Sequence, residues 1–241
     1  MTFAFKATSG RTHIGLAGVR NEDRYIIRGL GSGGAILAVA DGLGGNVSGG
    51  YAADCIIDHL AALDQVETGN ELAALVTLVK AMDGHLVSQQ EAQAALAGTG
   101  STMVCVLLRD NTAYWIHVGD SRLYLFRDGR LTQITEDQTL ARFLVGEGEL
   151  ALKDAATHYS IDVMDQFVGC GYAIPETGSF SSRGGDLLAL TTDGLHKSLT
   201  PQLLATILGN REAIDQKAER LIQAALKTGG RDNMTIVLAK V

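Results

Sequence analysis

Residues 35–45 read Ala35-Ile36-Leu37-Ala38-Val39-Ala40-Asp41-Gly42-Leu43-Gly44-Gly45. Six apolar residues run into an aspartate and then into glycine-rich chain, the pattern of a strand that ends in a turn with a carboxylate at its tip. The same design returns at the apolar strand Leu187–Thr191, beyond which stands Asp193-Gly194. Asp120 follows Ala113–Gly119, Asp232 lies in Gly229-Gly230-Arg231-Asp232-Asn233 just before the apolar stretch Met234–Ala239, and Asp23 immediately precedes Arg24–Arg28. One Asp-Gly at a strand end is ordinarily just a turn. Five aspartates at five strand tips converge on one edge if the strands share a sandwich. Clustered carboxylates repel one another and need compensation. No matching set of lysines or arginines adjoins them in the sequence, so divalent cations are the expected counter-charge. All-oxygen ligation without His or Cys suits Mg²⁺ or Mn²⁺ rather than zinc.

Outward from these tips, strands are expected at Thr12–Leu16, Arg24–Arg28, Ala35–Ala40, Thr102–Leu108, Ala113–Val118, Arg122–Arg127, Arg130–Ile134, Leu187–Thr191 and Met234–Ala239. Gly29-Leu30-Gly31-Ser32-Gly33-Gly34 and Asp128-Gly129 read as hairpin turns. Ala52, Cys55, Ile56, His59, Leu60 and Leu63 recur at helical spacing, as do Leu72, Leu75, Val76, Val79, Met82 and Leu86. A third helix is expected over Asn210–Lys227, and short helices with loop over Asp137–Ile161. Strands in runs and helices in pairs predict an α+β fold with antiparallel sheets and helices stacked outside, not alternating βαβ units.

The composition narrows the function. The chain has 241 residues, of which 46% are hydrophobic and 20% charged, enough apolar matter for one packed core and too little charge for a disordered chain. Net charge is −7 and no basic run occurs, which argues against nucleic acid as a partner. Met1–Gly10 lacks a signal-peptide core, and Ala35–Ala40 is far too short for a membrane span. Cys55, Cys105 and Cys170 stand far apart with no C-x-x-C pair, so a reducing, cytoplasmic setting is expected, with no visible zinc or disulfide framework. Gly29, Gly31 and Gly34 satisfy G-x-G-x-x-G, but an apolar strand comes next where a dinucleotide site needs a helix. No cysteine is followed six residues later by arginine, which removes cysteinyl phosphatase chemistry.

Six motifs occur in order: Asn21-Glu22-Asp23, Asp41-Gly42-Leu43-Gly44-Gly45, Gly98-Thr99-Gly100-Ser101-Thr102, Gly119-Asp120-Ser121-Arg122, Thr192-Asp193-Gly194-Leu195 and Arg231-Asp232-Asn233-Met234-Thr235. Together they resemble the metal-dependent protein phosphatases of the type 2C (PPM) family in its short bacterial form, from about Ile14 to the C-terminus. The resemblance implies a single domain over residues 1–241: a four-layer α-β-β-α sandwich with a dinuclear centre in a cleft and a variable flap at about 138–165. It implies that Asp41 bridges two Mn²⁺ or Mg²⁺ ions, that the Gly42 carbonyl binds one, that Asp23, Asp193 and Asp232 complete the ligands, and that Asp120 faces a weaker third ion. The implied reaction is hydrolysis of phosphoserine and phosphothreonine in proteins. Two cations about 3.5–4 Å apart activate the water and no protein nucleophile is needed. The implied partners are phosphoproteins marked by a bacterial Ser/Thr kinase, and the expected state is a monomer.

The pattern departs in three places. The family's phosphate-binding arginine stands four residues before the Glu of the Glu-Asp pair; here that position is Gly18, and Arg20, two before Glu22, is the candidate phosphate contact. Leu43 replaces the histidine that eukaryotic members carry, leaving His13 and His196 as the nearest histidines. Lys197 stands four residues after Asp193, where the family often has a second aspartate, and its ammonium opposes a third cation. The alternatives are a catalytically weak scaffold of the same fold that binds phosphoproteins, and an enzyme acting on small phosphorylated molecules.

Overall fold

The computed structural model describes residues 5–44 and 49–241. Gly45, the last glycine of the motif after Asp41, lies outside the described residues. The chain runs β1 (Ala7–His13), β2 (Asp23–Gly29), β3 (Ala35–Leu43), α1 (Gly49–Ala62), α2 (Glu71–Ala92), β4 (Gly100–Ser101), β5 (Met103–Arg109), β6 (Thr112–Val118), β7 (Arg122–Arg127) and β8 (Arg130–Gln133). It continues through α3 (Leu140–Gly146), α4 (Leu152–Ala155), β9 (Glu176–Ser181), β10 (Leu187–Thr191), α5 (Asp193–His196), α6 (Pro201–Gly209), α7 (Ile214–Lys227) and β11 (Met234–Lys240).

Two antiparallel sheets result. One has the order β1-β11-β10-β7-β8; the other has β2-β3-β5-β6-β9, with β4 added to the end of β3. Strands β3, β5 and β10 carry unbroken apolar runs because both of their faces are covered. Leu37, Val39, Val104 and Val106 of one sheet meet Leu188, Leu190 and Val237 of the other in the central layer. Ile36, Ala38 and Cys105 point the opposite way, onto Ile56, Leu60 and Val79 of α1 and α2. Ala189, Ile236 and Leu238 face Leu204, Leu221 and Ile222 of α6 and α7. The expected α-β-β-α layering is therefore present, and each period-2 alternation along a strand serves two different cores.

Local chemistry sets the connections. At Asp110-Asn111 and Asp128-Gly129 both turn residues have positive φ, which matches the right-handed twist of the hairpins they close. Leu140 starts a helix behind Thr139, and Pro201 behind Thr200, each threonine side chain accepting from a backbone N–H of the first turn.

Two expected boundaries are corrected. The first strand is Ala7–His13, not Thr12–Leu16, because Gly15 turns to φ +82 and Leu16 N–H bonds Gly230 O at 2.7 Å instead of a strand partner. The last helix begins at Ile214, not Asn210. Asn210 ends α6, and its Oδ1 accepts from Glu212 N–H at 3.0 Å, which holds 210–213 as a turn. Strand β9 and helix α6 were not expected. The former has the polar sequence ETGSFS, and the latter fills the stretch between the Asp193 motif and the helix expected from Asn210.

A buried ion pair ties the outer helical layer to the β2–β3 hairpin. Arg109 donates to Glu71 Oε1 at 3.0 Å, to Ser32 Oγ at 2.9 Å and to Gly33 O at 3.2 Å, and the two charged side chains are only 6% and 2% exposed. Removing one partner strands the other charge. Glu71→Ala should lower unfolding stability by about 3–5 kcal/mol, read from urea denaturation. A loss below about 1 kcal/mol would show that water compensates the guanidinium there.

Candidate metal centre

The sheets bring all five aspartates to one end of the sandwich. Antiparallel register sets Asp23, the first residue of β2, directly opposite Asp41 on β3. Asp120 follows β6, Asp193 opens α5 just beyond the end of β10, and Asp232 lies two residues before β11.

Backbone or hydroxyl groups of their neighbours hold Asp41, Asp23 and Asp232. The Asp41 carbonyl accepts from Thr102 N–H and Ser101 Oγ, both at 2.9 Å, and its N–H donates to Thr102 Oγ1 at 3.2 Å. Thr102 Oγ1 lies 2.7 Å from Ser121 Oγ, so β4 and the β6–β7 turn clamp the Asp41 backbone together. Asp23 Oδ2 accepts from Thr192 Oγ1 and from Thr235 Oγ1, each at 2.7 Å. Those hydroxyls belong to the other sheet's end, so Asp23 stitches the two sheets at the site. Asp232 Oδ1 accepts from Asn233 N–H at 2.7 Å. Gly42 pairs with Ser101 across β3–β4 and lies against Gly49; a Cβ added at Gly49 would stand 2.7 Å from the Gly42 carbonyl oxygen.

Electrostatics marks the cluster as uncompensated. Asp41 is pushed well above the usual carboxylate range by desolvation, then by the charges of Asp23, Asp193 and Asp120. Asp23 is raised to about 7 by burial, against the opposing hydrogen bonds of Thr192 and Thr235. Asp120 and Asp232 are also raised, burial being the main cause and Asp193 adding repulsion in each. Three carboxylate oxygens, Asp23 Oδ1, Asp120 Oδ1 and Asp193 Oδ1, are buried without a hydrogen-bond partner. Buried acceptors left this way are costly, and hard cations are the natural partners of an all-oxygen donor set. The residues present therefore fit divalent metal ions. Among the described residues, no three of these acids offer oxygens all within 4.8 Å of one another, so the ring is wider than one ion draws together.

One fixed cation does enter the cluster. Lys197 Nζ lies 2.9 Å from Asp193 Oδ2, 3.2 Å from Asp120 Oδ2 and 3.2 Å from Asp162 Oδ1 on the segment between α4 and β9. Burial works to lower its pKa, but Asp193 and Asp120 outweigh burial and hold it above the ordinary lysine range.

Arg20 is exposed and lines a cleft of about 370 Å³ together with Gly18, Val19, Glu22, Asp232 and Asn233. Its guanidinium makes no ion pair among the described residues, and its carbonyl accepts from Asn233 Nδ2 at 2.9 Å. Gly18 explains why arginine is absent there: a Cβ at 18 would sit 2.3 Å from the Ile14 carbonyl oxygen. The loop is wound too tightly for a side chain at that position, and Arg20 is the arginine left facing the cleft. His13 and His196 are both engaged elsewhere. His13 Nδ1 accepts from Gly15 N–H at 2.9 Å, and the buried His196 ring meets Thr191 Oγ1 at 2.9 Å.

The reading from sequence missed the residues that hold the acids. Asn233 receives Glu22 N–H on Oδ1 at 2.7 Å and donates to Ile14 O and Arg20 O, each at 2.9 Å, pinning the whole 14–22 loop against the site. Thr102, Thr192 and Thr235 act likewise on Asp41 and Asp23. The available signal was adjacency: all four lie inside the quoted motifs, next to or near an aspartate.

The chain is similar to known proteins over nearly its whole length. The family model described as protein phosphatase 2C matches residues 9–239. The serine/threonine protein phosphatase PstP of Mycobacterium tuberculosis is 36% identical over 234 residues, covering 97% of this chain and 44% of that protein, so the chain spans less than half the length of this relative. Protein phosphatase PhpP of Streptococcus pneumoniae is 28% identical over 237 residues, covering 95% of each. Among solved structures, the M. tuberculosis phosphatase PstP/Ppp superposes with a TM-score of 0.87 at 35% identity over 98% of both chains. The PstP catalytic domain in complex with two manganese ions superposes at 0.84, with 34% identity over 97% of both.

The raised carboxylates leave a stability signature. Their folded-state pKa values exceed the unfolded ones, so the stability they contribute is full below about pH 4 and is lost as pH rises toward 7. In chelator-treated protein, compared with a variant carrying Asp23→Asn, the extra loss of Tm between pH 5 and 7 should be larger for the wild type. Millimolar Mn²⁺ should raise the wild-type Tm, by more at pH 7 than at pH 5. A metal-independent Tm at both pH values would contradict the compensation argument.

Proposed function

Because the chain belongs to the protein phosphatase 2C family, we propose that it hydrolyses phosphoserine and phosphothreonine in proteins, at a centre of two divalent cations held by Asp41, the Gly42 carbonyl, Asp23, Asp193 and Asp232. The observation that carries this reading is the set of buried, unpartnered oxygens on Asp23, Asp120 and Asp193, within a cluster whose charge the protein itself does not balance. Cations bound there would lower the pKa of a water and offset charge on the phosphoryl group in an in-line displacement.

The chain's own residues supply position. The Thr102 and Ser101 clamp holds Asp41 at fixed height. Thr192 and Thr235 orient Asp23 so that one oxygen is committed to hydroxyls and the other is left for ligation. Arg20, free of ion pairs among the described residues, reaches over the cleft to bind phosphate oxygens, a task to which the guanidinium fork is suited. Asn233 sets the height of that arginine's loop. Residues 138–165, carrying α3 and α4, reach the carboxylate cluster through the Asp162–Lys197 pair and select the phosphoprotein. The expected targets are marks of a Ser/Thr kinase in the same cytoplasm, the enzyme acting as a monomer; three free cysteines support a reducing compartment.

Lys197 supports a further proposal about metal number. Its ammonium occupies the space between Asp120 and Asp193 that a third cation needs, so the centre holds two ions strongly and a third weakly or not at all. Manganese binding measured by calorimetry should give two sites in the wild type and an added weaker site in Lys197→Asp. Three comparable sites in the wild type, with Asp120 required for the third, would refute this.

The activity is tested with p-nitrophenyl phosphate and a phosphothreonine peptide, in chelator, Mg²⁺ or Mn²⁺. Turnover should require the metal and fall about 10³-fold or more in Asp193→Ala. Arg20→Ala should raise KM for the peptide while keeping the metal requirement. Preference for sugar phosphates or nucleotides over the peptide would replace the protein substrate with a small one. A folded, metal-loaded protein without turnover would make the chain a phosphoprotein-binding scaffold.

A further inference from the structure

A second cluster of ligating side chains lies outside the carboxylate centre, on the seam between α1 and α2. Cys55 and His59 are four residues apart on α1 and so share a face. His85 comes from α2. One ligand atom from each lies within 4.8 Å of the other two, and among the described residues no other trio of His, Cys, Asp or Glu does so. Cys55 Sγ is 3.6 Å from His59 Nδ1, and that nitrogen is 2.8 Å from the Cys55 carbonyl, so the backbone fixes the imidazole beside the sulfur. The His85 ring stands edge-on to His59, with centroids 5.2 Å apart at 78°. Cys55 is buried, His59 half-buried and His85 exposed, which gives a site with a floor and an open mouth.

We propose that Cys55, His59 and His85 form a binding site for a thiophilic divalent cation of the zinc class, independent of the carboxylate centre and joining α1 to α2. Ligand chemistry separates the two sites: a thiolate and two imidazoles select zinc-like ions, while the oxygen-only centre selects magnesium or manganese. Zinc bonds of about 2.3 Å to sulfur and 2.0–2.1 Å to nitrogen place tetrahedral ligand atoms roughly 3.3–3.7 Å apart, so a side-chain movement of about 1 Å closes the present arrangement. Water from the open side fills the fourth position. On binding, the Cys55 thiol gives its proton to solvent and the sulfur–metal bond forms; neither imidazole changes charge and nothing is oxidised or reduced. Burial, then the charge of Asp58, hold the free thiol up at about 11, and that same acid favours an incoming cation.

The site also bears on the first one by position. Gly49, where α1 begins, touches Gly42, and Gly50 N–H donates to Glu22 Oε1 at 3.3 Å. Cys55 lies six residues along the same helix, about 9 Å away. An ion that pins the far part of α1 to α2 therefore steadies the helix whose first turn backs the Asp41-Gly42 turn. Cysteine spacing alone could not reveal this site, because its third ligand arrives from a different helix 26 residues downstream of His59.

The test uses the whole protein with its carboxylate centre saturated by Mg²⁺, titrated with Co²⁺ and followed by absorption. A sulfur-to-cobalt charge-transfer band in the near ultraviolet should appear at one equivalent and be abolished by Zn²⁺; oxygen ligands cannot produce that band. Cys55→Ser should abolish it. So should His85→Ala, which changes an exposed side chain and leaves the core intact. Cys170→Ser should retain it. Absence of the band in the wild type, its survival in His85→Ala, or its loss only in Cys170→Ser would overturn the assignment. None of these readouts depends on phosphatase turnover, so the outcome stands whether or not the activity proposed above is found.

Discussion

Carboxylates gathered in a poorly solvated place cannot all be ionised without counter-charge, and the architecture at one end of this sandwich is organised around that constraint. Burial raises Asp23, Asp41, Asp120 and Asp232, and mutual repulsion raises them further. A fold that only needed to be stable would place apolar or paired side chains there. Instead, threonine hydroxyls hold Asp23, a backbone N–H holds Asp232 and Lys197 holds Asp120 and Asp193, with an unpartnered oxygen left on Asp23, Asp120 and Asp193. The cost is borne by one apolar core between the sheets and two outer cores beneath the helix pairs, which bury most of the chain's large aliphatic side chains.

The sheets provide the rigidity this requires. Pairing register sets Asp23 against Asp41, and a slip by one residue would put the two carboxylates on opposite faces of the sheet. Asp23 then receives hydroxyls from Thr192 and Thr235 at the edge of the other sheet, so the distance between the sheets sets the site's width. Lys197 is the built-in cation of the cluster. It places tethered positive charge at the Asp120–Asp193 side and reaches Asp162 on the segment between α4 and β9, linking that segment to the cluster.

The helical layers are more than cover. Helix α1 starts against Gly42 and receives Glu22 at its first turn, so the Asp41-Gly42 turn and the helix share a boundary. Helix α2 is fastened by the buried Arg109–Glu71 pair to the β2–β3 hairpin, whose β2 and β3 carry Asp23 and Asp41 at their far ends. The α1–α2 seam, with its sulfur and two imidazoles, lies along this connected path.

Much of this was legible in the sequence. Unbroken apolar runs bounded by glycine marked β3, β5, β10 and β11. Helical spacing marked α1, α2 and α7, and aspartates next to glycine marked the tips where the site forms. These signals are local: they depend on the period of the backbone and on turn chemistry, which neighbouring residues decide. Polar β9 escaped because its strand character comes from pairing with β6 and not from its own composition. The boundary of β1 moved because Gly15 turns against Asp232, 217 residues away. The tertiary structure alone decided which hydroxyls hold which acid, that Gly18 leaves no room for a side chain, that Lys197 enters the carboxylate ring, and that His85 joins Cys55 and His59. Each of these is a contact between residues far apart in the chain. Such contacts are set by how the sheets and helices stack, and no spacing along the sequence encodes that distance.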